Sequence, residues 1–98
     1  MMNILLICSA GMSTSMVVKK MQAEAEVKGI DAKIWAVGTS VAKTDAPTAD
    51  VILLGPQIRF MEKQIKADYN KPTMVIDMMD YGRLDGVKIL EKALALLG

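Results

Sequence analysis

Short apolar runs alternate with longer amphipathic stretches from one end of the chain to the other, and this alternation restricts the fold more than any other feature. Asn3-Ile4-Leu5-Leu6-Ile7-Cys8 reads as a buried strand. From about Ser13 to Lys28, Val17, Val18, Met21 and Ala25 recur at helical spacing, and Gly29 stands where a helix C-cap belongs. Residues 31–37 read as a second strand. In it Ala32, Ile34 and Ala36 alternate with Lys33 and Trp35, the pattern of a half-exposed sheet edge. Segment 38–50 is the least regular, with Ser, Thr, Gly and Pro and room for one short helical turn. Val51-Ile52-Leu53-Leu54 is a third buried strand. Gly55-Pro56 breaks it, and Pro56 is well placed to open a helix whose buried stripe is Ile58, Met61 and Ile65. Asn70-Lys71-Pro72 is a turn, and residues 73–77 form a fourth strand. Leu84, Val87, Leu90, Leu94 and Leu97 then give a last helical stripe.

Buried strands joined by helices require a parallel sheet with right-handed crossovers and helices on both faces. The expected fold is a single α/β domain over residues 1–98. It is a three-layer flavodoxin-like sandwich, like that of low-molecular-weight phosphatases, with a four-stranded parallel sheet in the order 2-1-3-4. In such sheets ligands collect at the carboxyl ends of the strands, beside the switch point. Three loops then share one rim: the stretch from Cys8 to Ser15, Gly55-Pro56-Gln57, and residues 77–82.

Composition narrows the function. The chain has 98 residues, 52% of them hydrophobic and 23% charged, which excludes a disordered chain. The net charge is +1, and Lys19-Lys20 is the only adjacent basic pair, so no nucleic-acid footprint is expected. No apolar run approaches the ~20 residues of a membrane span. No cationic segment precedes the first apolar run, so no signal peptide is expected either. One cysteine cannot form an internal disulfide, which points to the cytoplasm. The absence of histidine removes Ser-His-Asp and Cys-His catalysis within the chain and leaves no metal-ligand cluster; no cofactor is expected. Met1 and the helical end at Gly98 suggest a free-standing protein.

The loop that carries chemistry is Cys8-Ser9-Ala10-Gly11-Met12-Ser13-Thr14-Ser15. Small residues let the backbone curl with its N–H groups inward, and the following helix adds unpaired N–H groups and the positive end of its dipole. Such a nest binds a phosphate-sized dianion without a charged side chain. The hydroxyls of Ser9, Ser13, Thr14 and Ser15 add donors. Cys8 stands at the mouth, where the same field would stabilise a thiolate, the nucleophilic form. The expected product is a phosphocysteine. Each feature alone has a plainer reading: a cysteine at a strand end as a small buried hydrophobe, and a Ser/Thr/Gly loop as a helix cap.

The spacing is similar to a phosphatase signature. Low-molecular-weight tyrosine phosphatases carry a cysteine, five residues, then arginine followed by serine or threonine. Here Thr14 stands in the arginine position and Ser15 follows. The guanidinium that would clamp the phosphate oxygens bidentately is missing, which suits a carrier better than a hydrolase. Two rivals stay open: a hydrolase or arsenate reductase of that fold, and a non-catalytic flavodoxin-like module whose loop holds a flavin phosphate. The second is disfavoured by an aromatic content of only 4%.

The chain resembles the cytoplasmic B component (EIIB) of the lactose/cellobiose family of the bacterial phosphoenolpyruvate-dependent sugar phosphotransferase system. The resemblance rests on Ile4-Leu5-Leu6-Ile7-Cys8-Ser9-Ala10-Gly11-Met12-Ser13-Thr14-Ser15 and Ala49-Asp50-Val51-Ile52-Leu53-Leu54-Gly55-Pro56-Gln57-Ile58. Lys71-Pro72, Ile76-Asp77 and Tyr81-Gly82 add to it. Segment 38–50 up to Thr48 carries none of it. The resemblance implies that Cys8 accepts a phosphoryl group from a phosphohistidine of the A component (EIIA). Cys8 then passes it to a sugar bound by the membrane-embedded C component (EIIC). The sugar would be a β-linked disaccharide such as cellobiose, chitobiose or lactose. Ser9, Ala10, Gly11, Met12, Ser13, Thr14 and Ser15 would cradle the phosphoryl group. The protein would be cytoplasmic, meeting the membrane's inner face only through EIIC.

The remaining features have modest expectations. Among nine methionines, Met16, Met21, Met61, Met74, Met78 and Met79 read as core fillers, and Met12 as exposed beside Cys8. Arg59 and Lys63 form a solvated pair one turn apart that can orient an acidic partner. Asp77 and Asp80 lie on a rim loop, where the phosphatase acid would be; the plainer expectation is that Asp80 caps the last helix or that both are simply solvated. Tyr81 is expected half-buried at the rim, and Trp35 packed under segment 38–50.

Overall fold

The computed structural model describes residues 1–9 and 12–97, with the backbone alone for residues 12–14. Its strands are β1 (Met2–Cys8), β2 (Ala32–Gly38), β3 (Val51–Leu54) and β4 (Thr73–Val75). Its helices are α1 (Met12–Val27), α2 (Thr39–Asp45), α3 (Glu62–Tyr69), α4 (Met78–Gly82) and α5 (Gly86–Leu97), with 3₁₀ turns at Ala46–Thr48 and Pro56–Met61. All strand pairs are parallel, and the sheet order is β2-β1-β3-β4, as expected.

Strand parity builds the two cores. Successive side chains point to opposite faces of a sheet. Ile4 and Leu6 of β1, with Val51 and Leu53 of β3, bury one face against Val17 and Met21 of α1 and Ile89, Leu90 and Ala93 of α5. Leu5 and Ile7, with Ile52 and Leu54, bury the other against Ala42, Ala46, Ile58 and Ile65. The apolar runs carry no polar alternation because both faces of the inner strands are covered. β2 is an edge, and only Ile34 of its seven residues is buried.

Local signals set the ends of the elements. After α1, Gly29 N–H donates to Glu26 C=O (3.1 Å) and Ile30 N–H to Ala25 C=O (2.8 Å), the two bonds of a Schellman cap. The helix expected from Pro56 is split. Ile58 adopts non-helical backbone angles (φ −118°, ψ 27°), so a 3₁₀ turn comes first and α3 follows, although Ile58 and Ile65 are both buried as the stripe requires. Segment 38–50 holds more than one turn: a seven-residue helix, α2, then a 3₁₀ turn. Trp35 fastens it, its Nε1–H donating to Asp45 Oδ2 at 2.9 Å.

Three expectations near the C-terminus need correction. The rim loop over residues 77–82 contains a short helix, α4, which Asp77 caps by accepting N–H groups of Met79 and Asp80. Asp80 does not cap the last helix. That cap is Asp85, whose Oδ1 accepts Lys88 N–H at 3.0 Å. The stripe of α5 is only partly as expected. Leu90 is buried and Leu84, Leu94 and Leu97 pack against the core, but Val87 is 43% exposed, and Gly86, Ile89 and Ala93, outside the expected stripe, are buried. Gly86 meets α1 closely, because a β-carbon there would fall 2.5 Å from Lys20 Cβ and 2.6 Å from α1 backbone atoms. Only a glycine lets the two helices approach this closely.

Candidate functional site

Each strand's carboxyl end opens onto one rim of the molecule. Cys8 is the last residue of β1, an inner strand, and is 2% exposed. Its register partner on β2 is Gly38, and Gly55 follows β3 on the other side, with Gly55 N–H donating to Ile7 C=O at 2.9 Å. A β-carbon on Gly55 would fall 3.2 Å from Cys8 Cβ and 3.1 Å from Gln57 Oε1. Both approaches are tighter than ordinary van der Waals contact, so a residue with a side chain at position 55 would crowd the Cys8 β-carbon. The sequence signalled Gly55 as a strand breaker on the same rim as Cys8, but not its close approach to that residue. Its closeness to Cys8 depends on the pairing of β1 with β3, which spans nearly fifty residues.

Ser9 lies at an exposed bend directly after Cys8, and Ser15 is exposed in the second turn of α1. Ala10 and Gly11, and the side chains of Met12, Ser13 and Thr14, lie outside the described residues. The part of the expected cradle that they form is therefore not described. What is described is the helix that follows. α1 has 16 residues and no acidic residue in its first turn. Its positive dipole end starts four residues beyond Cys8 with no carboxylate to offset it.

The third rim loop is organised by Asp77 and Asp80. Asp77 Oδ1 accepts Met79 N–H at 2.8 Å and Asp80 N–H at 3.3 Å. Those two bonds hold its carboxyl below the usual carboxylate range. Asp80 is buried and forms an ion pair with Lys92 Nζ at 2.7 Å. The hydrogen bond to Asp80 raises the Lys92 ammonium above the usual lysine range. Both carboxylates are thus engaged in holding α4 and α5, and neither is simply solvated. Tyr81 is buried in the core beside them.

Around the rim stand several exposed apolar side chains that were not expected there. Met16 of α1, Val41 of α2, Phe60 of the 3₁₀ turn, and Met78 and Met79 of α4 are all exposed, Phe60 to 79%. Met21 is a core filler, and Met61 and Met74 pack against the cores as partly buried side chains. Met16, Met78 and Met79 are not. All five exposed side chains follow the carboxyl end of a strand. Composition did not distinguish them from core residues, because apolarity alone does not say which side of a helix faces out. Arg59 and Lys63 are both exposed here as expected, but they belong to different elements, the 3₁₀ turn and α3.

A family model described as PTS system, Lactose/Cellobiose specific IIB subunit matches residues 3–92. The chain belongs to this family. It is similar to the oligo-beta-mannoside-specific EIIB component of Bacillus subtilis, 48% identical over 99% of this chain and 97% of that one. It is 45% identical to the cellobiose-specific EIIB component of Lactococcus lactis subsp. lactis, over 92% of this chain and 91% of that one. The solution structure of the cellobiose-specific IIB component of Borrelia burgdorferi superposes with a TM-score of 0.80 at 38% identity, over 98% of this chain and 91% of that one. The lactose-specific IIB domain of Streptococcus pneumoniae shares the fold at a TM-score of 0.83, over 96% of this chain and 95% of that one, with only 15% identity. A IIB subunit is a phosphotransferase component of the sugar phosphotransferase system, and EIIA and EIIC components are its general partners. Among the described residues of this one, no helix is long and apolar enough to cross a membrane.

Proposed function

We propose that Cys8 is the residue that carries the phosphoryl group. It accepts the group from a phosphohistidine of the A component and delivers it to a sugar held by the C component. The observation that carries this reading is the position of Cys8. It ends an inner strand beside Gly55, four residues before a long helix with no acid in its first turn. The cradle of Ser9, Ala10, Gly11, Met12, Ser13, Thr14 and Ser15 belongs to the same proposal. Its backbone N–H groups would hold the transferred oxygens.

In the first step the Cys8 thiolate attacks phosphorus in line. The S–P bond forms, the P–N bond breaks, and the donor imidazole leaves with the electron pair. In the second step a sugar hydroxyl attacks phosphorus and loses its proton to a base on the acceptor side. The S–P bond breaks, and the thiolate leaves with its electrons. The chain has no histidine of its own, which fits a donor that supplies one. Thr14 in place of an arginine leaves no guanidinium clamp at that position. Slow hydrolysis and efficient handover are therefore favoured over phosphatase action.

The exposed apolar residues Met16, Val41, Phe60, Met78 and Met79 would meet both partners, because each partner must bring its reacting atom to Cys8. The sugar is taken to be a β-linked disaccharide, in keeping with the cellobiose- and β-mannoside-specific names of the relatives. Compartment follows from the same reading: a cytoplasmic protein that reaches the membrane through EIIC.

Cys8→Ser tests the proposal. The variant is expected to bind the A component as wild type does and to support no phosphorylation of sugar. Sugar phosphorylation at the wild-type rate by Cys8→Ser would refute it.

A further inference from the structure

The turn after β3 does more than leave room for Cys8. The point where a Gly55 β-carbon would stand is 3.2 Å from Cys8 Cβ and 3.1 Å from Gln57 Oε1. Cys8 Cβ and Gln57 Oε1 therefore both close on Gly55 from the side where a β-carbon would stand, which brings the two side chains near one another. Gln57 is exposed, in the turn that Pro56 opens, so its amide can rotate without loss of core packing. The carboxamide offers two N–H donors and no charge.

We propose that Gln57 is a further catalytic residue, its Nε2–H donating to an oxygen of the phosphoryl group on Cys8 from the β3 side. The inference rests on the carrier reading of Cys8. With Thr14 where phosphatases have arginine, a group on Cys8 has no guanidinium from α1. Charge in the transition state spreads over three equatorial oxygens, and donors already aimed at them lower the barrier. The cradle proposed above would supply backbone donors, and Gln57 supplies one from the turn after β3. A single neutral amide holds a dianion less firmly than a bidentate guanidinium. That suits a group that must be received and released. The amide neither gains nor loses a proton, so the atom balance of both steps is unchanged.

The test compares wild type, Gln57→Ala and Gln57→Glu. Each is phosphorylated with phosphoenolpyruvate, the general phosphotransferase proteins and a cellobiose-class A component. The readouts are the rate by intact mass, the phosphorus NMR shift of the phosphocysteine, and the melting temperature. Gln57→Ala is expected to accept phosphoryl about tenfold more slowly, the effect of one hydrogen bond to a charged group, with its melting temperature unchanged. Gln57→Glu is expected to be slower still at neutral pH, because its carboxylate faces the dianion. Relative to wild type at the same pH, it should recover as the carboxyl protonates. The phosphorus resonance should move in both variants. Equal rates and equal shifts in wild type and Gln57→Ala would overturn the inference, as would Gln57→Glu no slower than Gln57→Ala. Wild type that accepts no phosphoryl group would overturn the carrier reading itself, a result read on the unmutated chain and so distinguishable from the others.

Discussion

The two ends of β1 are built on opposite plans. At the amino end, polar groups are consumed by one another. Asn3 N–H donates to Asp50 Oδ2 at 2.7 Å, Asp50 N–H returns a bond to Asn3 C=O at 2.8 Å, and the Asn3 amide donates to Thr48 C=O at 3.1 Å. Met2 N–H is taken up by Asp31 C=O at 3.0 Å. At the carboxyl end, Cys8 faces Gly38 on one side and Gly55 on the other, and apolar side chains stand exposed around it. The first arrangement ties β1 to the starts of the strands on either side of it, β2 and β3. The second leaves room beside a sulfur. The same strand thus has an end that stabilises and an end that reacts, and substitutions should separate the two.

The largest effect is expected at the reactive end. Gly55→Ala brings a β-carbon within 3.2 Å of Cys8 Cβ. Overpacking of this kind costs about 1–3 kcal/mol, read by urea unfolding. The rate of phosphoryl acceptance should fall further than this loss explains, measured under conditions where the variant is fully folded. Unchanged transfer by folded Gly55→Ala would remove the distinction drawn at this end.

Asp50→Ala sharpens the comparison from the other side. It deletes the acceptor for Asn3 N–H, at an expected cost of about 1 kcal/mol in stability. Phosphoryl acceptance by the folded protein should stay at the wild-type rate. A transfer defect here would mean that the two ends are coupled through the strand.

The smallest effects concern the rim helix α4. The Asp77 carboxyl is lowered by its bonds from Met79 and Asp80 N–H. Its stabilisation is therefore present above the ordinary carboxylate range and is lost as pH falls through the lowered value. Lys92 runs the other way. Its ammonium is raised by Asp80, so its contribution is complete below the ordinary lysine range and fades only as pH rises through the raised value. Thermal melts of wild type and Asp77→Ala should differ at neutral pH, with the gap narrowing as pH falls through the lowered Asp77 value. A gap independent of pH would show that the cap acts without its charge.

How much of this could be read from residues depended on range along the chain. The inner strands were legible because Ile4-Leu5-Leu6-Ile7 and Val51-Ile52-Leu53-Leu54 allow no other burial, and their order followed from the crossovers. The α1 cap at Gly29 and the edge character of β2 were equally local. The carboxyl-end position of Cys8 also followed, because it needed only the strand before it and the helix after it. What escaped the reading were pairings between distant elements. The expected order put β1 beside β3 and their loops on one rim, but how closely Gly55 approaches Cys8 was not legible. Asp80 meets Lys92 across two helices, so its residue type suggested a cap or a rim acid but not an ion pair. Val87 fitted a helical stripe but is exposed, whereas its neighbour Gly86 is buried against Lys20 of α1. The methionines were ambiguous for the same reason: Met21 faces the core and Met78 faces out, with nothing in their own composition to tell them apart.

The most direct test of Cys8 as the phosphoryl carrier is intact-mass spectrometry of the protein after incubation with phosphoenolpyruvate, the general phosphotransferase proteins and a cellobiose-class A component. An iodoacetamide-blocked sample serves as control. The account predicts a gain of one phosphoryl group that the block abolishes. A phosphoryl group gained equally by the blocked protein would contradict it.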